Sequence, residues 1–119
     1  PAFLKTDSGA PFVLNESTVI VAKGQATNSA KFLASILRRS TGFSLPIVSS
    51  STGHGSVISL AVDPNTRIGA YSRQEEAYSL ISRAGSITAQ AVTDHGLFDA
   101  VQTIRQLFPP LIEFTQPRP

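Results

Sequence analysis

The chain has 119 residues, 41% hydrophobic and 15% charged, with ten Lys plus Arg against eight Asp plus Glu for a net charge of +2. That composition fits one domain with a buried core. The small charge surplus is scattered, with Arg38-Arg39 the one adjacent basic pair, and this argues against a nucleic-acid binder, which would carry a basic stripe. Without cysteine there are no disulfides, no thiol catalysis and no cysteine-ligated zinc. No apolar run approaches the ~20 residues of a membrane-spanning helix.

Residues 1–11 are rich in turn formers, with Asp7-Ser8-Gly9 and two prolines, and are read as a poorly structured leader. Pro1-Ala2-Phe3-Leu4-Lys5 lacks the charged-then-apolar layout of a signal peptide. Together with the ending Gln116-Pro117-Arg118-Pro119, it suggests a piece of something longer. Phe12–Leu14 and Thr18–Ala22 are short β-prone segments, the second dense in β-branched residues. Asn15-Glu16-Ser17 between them fits a glycosylation sequon, but its first reading is a turn.

From Gln25 to Thr41 the apolar period becomes helical. Ala26, Ala30, Leu33 and Leu37 line one face, flanked by Phe32 and Ile36, with Asn28, Lys31, Ser35 and Arg38 opposite. Arg38 and Arg39 suit the negative end of the helix dipole, and Gly42 suits a left-handed closing residue. Phe43–Val48 reads as a strand interrupted by Pro46 and therefore at an edge or an end. Ser49–Ser56 reads as an exposed polar loop. Val57–Val62, Ala77–Arg83 and Ser86–Val92 read as strands, the last two joined through Ala84-Gly85 as an antiparallel hairpin.

Gly96–Phe108 reads as a second helix, with Leu97, Ala100, Val101, Ile104 and Leu107 on one face. Thr93 or Asp94 is its N-cap, and Pro109-Pro110 stops it. The expected architecture is α+β, a two-layer sandwich of a mainly antiparallel sheet with two helices packed on one face.

Candidate chemistry is sparse. His54 lies in the Ser/Gly loop and His95 before the last helix, without the carboxylates at ligand spacing that a metal site needs. Glu75-Glu76 is the one adjacent carboxylate pair, but neighbours on a strand point to opposite faces and cannot converge on one bond. No serine sits in a G-x-S-x-G elbow, and Gly53-His54-Gly55 lacks the lysine of a phosphate loop. Tyr71 and Tyr78 are the only tyrosines and tryptophan is absent, which leaves a poor aromatic platform for sugar. The residues themselves nominate no catalytic, cofactor-binding or metal-binding position.

Two segments carry a resemblance. Glu76-Ala77-Tyr78-Ser79-Leu80 resembles the E-[AG]-Y-x-L strand of the domain that precedes the barrel in glycoside hydrolase family 20. Gly96-Leu97-Phe98 and Gln102-Thr103-Ile104-Arg105-Gln106-Leu107 resemble its G-x-[FY]-[YW]-G-x-Q-T-[LI]-x-Q-L helix. Asp99 stands where an aromatic is usual, and Ala100 where a Gly is usual. The resemblance implies an accessory domain over 12–112, with 113–119 starting a linker toward a catalytic barrel. It implies a parent β-N-acetylhexosaminidase, extracellular or periplasmic, whose barrel supplies the catalytic Asp–Glu pair and is this domain's intramolecular partner. No cofactor is implied. The competing expectations are a carbohydrate-binding or interaction module, and an accessory domain of another glycoside hydrolase family.

Overall fold

A computed structural model describes residues 2–6, 12–50, 55–65, 77–83, 85–107 and 112–114, the first and last of these stretches as backbone. Strands β1 (Ala2–Thr6), β2 (Phe12–Leu14) and β3 (Val19–Val21) lead through a single 3-10 turn at Gly24–Ala26 into helix α1 (Thr27–Thr41). Strands β4 (Ile47–Val48), β5 (Val57–Val62), β6 (Tyr78–Arg83) and β7 (Ser86–Ala91) follow, then helix α2 (Asp94–Gln106) and strand β8 (Ile112–Phe114). Six strands form one sheet in the order β1-β6-β7-β5-β3-β4, and β2 and β8 form a separate parallel pair.

The α+β two-layer architecture is as expected. α2 packs over β5, β6 and β7, α1 packs over β3 and β4, and the helices touch each other. Period-2 alternation makes this possible. Ile58, Leu60, Leu80, Ile87, Ala89 and Ala91 are buried, while Ala61, Arg83 and Thr88, which alternate with them, are exposed. Leu33 and Leu37 of α1 and Leu97, Val101 and Ile104 of α2 complete the same core.

Strand direction departs from expectation. The sheet is mixed and mostly parallel rather than mainly antiparallel: β6–β7 is antiparallel, and β1–β6, β7–β5, β5–β3 and β3–β4 are parallel. An antiparallel pair can be closed by a short link, and β6 and β7 pair up to Arg83↔Ser86, whereas parallel neighbours need a crossover. α1 is such a crossover, carrying the chain from β3 to β4.

Residues 2–6, expected to lie in an unstructured leader, form β1 in register with β6 from Ala2↔Tyr78 to Thr6↔Ser82. The backbone donors and acceptors on the outer edge of β6 otherwise lack partners, and a covering strand satisfies them. At the other end, residues 113 and 114 belong to β8, with Val13 opposite Glu113, rather than to a linker.

Phe43–Val48 yields a strand at Ile47–Val48 alone. Gly42 closes α1 at φ 79°, its N–H bonded to the Arg38 carbonyl at 2.8 Å. The Arg38 side chain then reaches past the turn, Nε donating to the Ser44 carbonyl at 2.7 Å and Nη2 to the Leu45 carbonyl at 3.2 Å. Leu45 sits at φ 44°, outside any strand conformation. Phe43 and Leu45 are buried, so the apolar run marks a core-facing loop.

Ser56, placed by the sequence in an exposed loop, is 4% exposed. Its Oγ donates to the Val13 carbonyl at 3.0 Å and lies 2.8 Å from Thr18 Oγ1, which accepts from the Asn15 N–H at 2.9 Å. Asn15-Glu16-Ser17 is the turn above this node, Asn15 Oδ1 accepting from Ser17 N–H and Oγ at 2.9 and 2.7 Å.

Candidate functional site

The two helices present their N-terminal turns side by side, and an open depression lies there. α2 begins where Thr93, in extended conformation, turns its Oγ1 onto the Gly96 N–H at 3.1 Å, while its carbonyl takes the first helical bond from Leu97. Of the two N-cap candidates, Thr93 is the cap; Asp94 opens the first turn, where a carboxylate suits the positive end of the helix dipole. This cap starts the helix at Asp94, ahead of the expected Gly96.

The buried stripe of Leu97, Ala100, Val101 and Ile104 turns His95, Phe98 and Asp99 outward. Phe98 is 37% exposed, and its ring lies 4.8 Å from that of Phe32 on α1, tilted by 41°. Asn28, Ser29, Asp94, His95 and Phe98 line an open depression of about 340 Å³.

His95 Nε2 is 3.7 Å from Asp99 Oδ2, with side-chain exposures of 67% and 45%. Among the described residues no group of three or more His, Cys, Asp or Glu could hold a metal ion, and no helix is long and apolar enough to cross a membrane. His54, Tyr71 and Glu75-Glu76 lie outside the described residues.

Tyr78 is engaged in structure. Its hydroxyl is hydrogen-bonded to Thr103 Oγ1, and Thr103 in turn donates to the Asp99 carbonyl at 3.3 Å. A threonine hydroxyl has one proton, so the Tyr78 O–H donates. The two motif segments therefore meet in a side-chain bond between Tyr78 of β6 and Thr103 of α2.

Sequence reasoning passed over Phe98 by counting tyrosines and tryptophans alone. The signal was present: Phe98 lies one residue, and so about 100° of helical rotation, from Leu97, outside the Leu97–Val101–Ile104 stripe.

The profile of glycosyl hydrolase family 20, domain 2, matches residues 1–115. Among solved structures, the β-N-acetylhexosaminidase of Streptomyces coelicolor A3(2) is 31% identical with a TM-score of 0.69, the match covering 94% of this chain and 22% of that one. A mutant Streptomyces plicatus β-hexosaminidase in complex with its product GlcNAc is also 31% identical, with a TM-score of 0.66 over 91% of this chain and 21% of the enzyme. The chain thus spans about a fifth of the length of these relatives. A search of curated proteins gives no match.

Proposed function

Because the chain belongs to glycosyl hydrolase family 20 as its domain 2, we propose that it is the non-catalytic accessory domain of a β-N-acetylhexosaminidase. The parent enzyme removes terminal N-acetylhexosamine from glycans or chitooligosaccharides, outside the cell or in the periplasm. Its catalytic domain, in the same polypeptide, is the partner this domain serves. The observation that carries this reading is the match of nearly the whole chain, at 31% identity, to about a fifth of an enzyme with that activity.

The chemistry of the domain is consistent with a supporting role. Glycoside hydrolysis needs carboxylates held across the scissile bond. At the depression Asp94 is exposed, and Asp99 lies beside His95 on the same helix face. Tyr78, the one described tyrosine, is committed to Thr103.

The test is a chromogenic β-N-acetylglucosaminidase assay on the full-length gene product and on residues 1–119. Activity in the full-length protein and none in the fragment is expected. An inactive full-length protein sinks the assignment, and an active fragment sinks the accessory role. Titration of the fragment with chitooligosaccharides is expected to show no binding; saturable binding would make it a carbohydrate module instead.

A further inference from the structure

The chain has three asparagines, and one of them heads a pattern that the fold and the accessory role leave unused. Asn15-Glu16-Ser17 is an Asn-x-Ser sequence, the acceptor pattern for N-linked sugar, with glutamate rather than proline in the middle. Asn28-Ser29-Ala30 and Asn65-Thr66-Arg67 lack a hydroxyl residue two positions on. A three-residue pattern recurs by chance, so geometry has to decide. Asn15 lies half-buried in the link between β2 and β3, and Glu16 and Ser17 beside it are exposed. Its backbone is pinned by Thr18: the Asn15 N–H donates to Thr18 Oγ1 at 2.9 Å, and the Asn15 carbonyl accepts from the Thr18 N–H at 3.1 Å. Thr18 is fully buried against Ser56. The Asn15 side chain is engaged through its oxygen, which accepts from the Ser17 N–H at 2.9 Å and from Ser17 Oγ at 2.7 Å. Nδ2 has no hydrogen-bond partner among the described residues. Two donors on Oδ1 stabilise the negative charge that builds there as Nδ2 gives up a proton.

We propose that Asn15 is an N-glycosylation site, taking an oligosaccharide from a polyprenyl pyrophosphate donor. In the transfer, Nδ2 forms a bond to the anomeric carbon and one Nδ2 proton passes to base. The bond from that carbon to the pyrophosphate oxygen breaks, and the pyrophosphate leaves with the electron pair. The proposal rests on export of the parent, one part of the reading above, and not on its hexosaminidase activity. The fold has room for the product. β3, β5 and β7 run parallel, so their first residues share one end of the sheet, where the Val19 N–H bonds to the Ser56 carbonyl and the Val57 N–H to that of Gly85. The Asn15 turn stands at this end, whereas α1 and α2 start at the other, after β3 and β7. A sugar on Asn15 therefore extends into water at the end away from the depression beside Phe98.

The experiment uses the full-length gene product purified from its own source. Cleavage after Lys5 and Lys23 yields residues 6–23, in which Asn15 is the sole asparagine. Mass spectrometry is expected to find this peptide carrying a glycan. Enzymatic release of the glycan in heavy-oxygen water should convert Asn15 to labelled aspartate. Asn15→Gln and Ser17→Ala, expressed in the same source, should lose the glycan. Ser17→Thr, which keeps the hydroxyl, should retain it.

A bare peptide 6–23 overturns the proposal, as does unlabelled aspartate at position 15, which is deamidation only. A glycan that persists in Ser17→Ala also overturns it, because the hydroxyl would then play no part. Failure of the two readings is separable. An active, exported enzyme with a bare Asn15 sinks the glycosylation site alone. An inactive protein with a glycan on Asn15 sinks the hexosaminidase reading and leaves the site standing.

Discussion

α1 and α2 lie in one layer on one sheet, yet they are fixed at opposite ends. α2 is held at its start, where Thr93 caps it, and along its flank, where Thr103 takes the Tyr78 hydroxyl from β6. α1 has no side-chain cap at its start, entering through the 3-10 turn. It is held at its end, by Gly42 in the left-handed region and by Arg38 gripping the next two carbonyls of the loop. Between those ends both helices do the same thing, burying an apolar stripe. Directional polar contacts therefore set where each helix starts or stops, while non-directional burial supplies most of the stabilisation.

The largest expected effect tests that shared middle. Ile104→Ala on α2 and Leu37→Ala on α1 each remove a side chain at most 1% exposed. Each should destabilise by about 2–5 kcal/mol, since a cavity adds to the lost transfer energy. Urea denaturation checks this. A cost below about 1 kcal/mol for one and not the other would show that only one helix is part of the core.

The ends should respond more weakly and in different places. Thr93→Ala leaves the Gly96 N–H without its acceptor and should cost about 1 kcal/mol. Gly42→Ala forces a side chain onto φ 79° and should cost about 1 kcal/mol as well. Amide hydrogen exchange separates the two, the first loosening the start of α2 and the second the end of α1. Exchange that rises uniformly in both variants would break the contrast between the helices.

Tyr78→Phe isolates the bond between the two motif segments. The net loss should be about 0.5–1.5 kcal/mol in the same denaturation experiment. Thr103→Val should cost a similar amount, and the double variant less than the sum, because one interaction is being counted twice. Strict additivity would mean that the two hydroxyls act independently and that the motifs are not coupled through them.

These elements also show how far the amino-acid pattern is legible. Both helices, the antiparallel β6–β7 pair, β5 and the core stripes follow from periodicity, because a wrong face would bury charge. The left-handed Gly42 was legible for the same local reason. Strand direction was not, since parallel and antiparallel neighbours share the same period-2 signal and differ only in how distant segments meet. β1 was hidden because Asp7-Ser8-Gly9 and the prolines dominate its segment, while the need for it arises on β6, over 70 residues away in sequence. The loop at Phe43–Leu45 was misread because burial alone does not separate a strand from an apolar loop whose carbonyls are taken by Arg38. Ser56 looked solvated because its partners, Val13 and Thr18, are distant in sequence. At the depression, the residue types were plain, but their convergence depends on two helix starts coming side by side.

The smallest effect concerns the residue that departs from the family pattern. Asp99 replaces the usual aromatic and sits 3.7 Å from His95, one helical turn earlier, with side-chain exposures of 45% and 67%. An exposed i,i+4 contact of this length is screened by water and costs two side chains their freedom, so it holds the helix hardly at all. Its structural contribution to α2 runs instead through the Asp99 backbone carbonyl, which any side chain at that position would still offer to Thr103. His95→Ala and Asp99→Asn should therefore each shift stability by less than about 0.5 kcal/mol, at low and at high salt alike. A larger, salt-sensitive loss in either variant would mean that the pair anchors the start of α2 together with Thr93. The contrast between a helix capped by one threonine and a helix closed by one glycine would then have to be redrawn around charge.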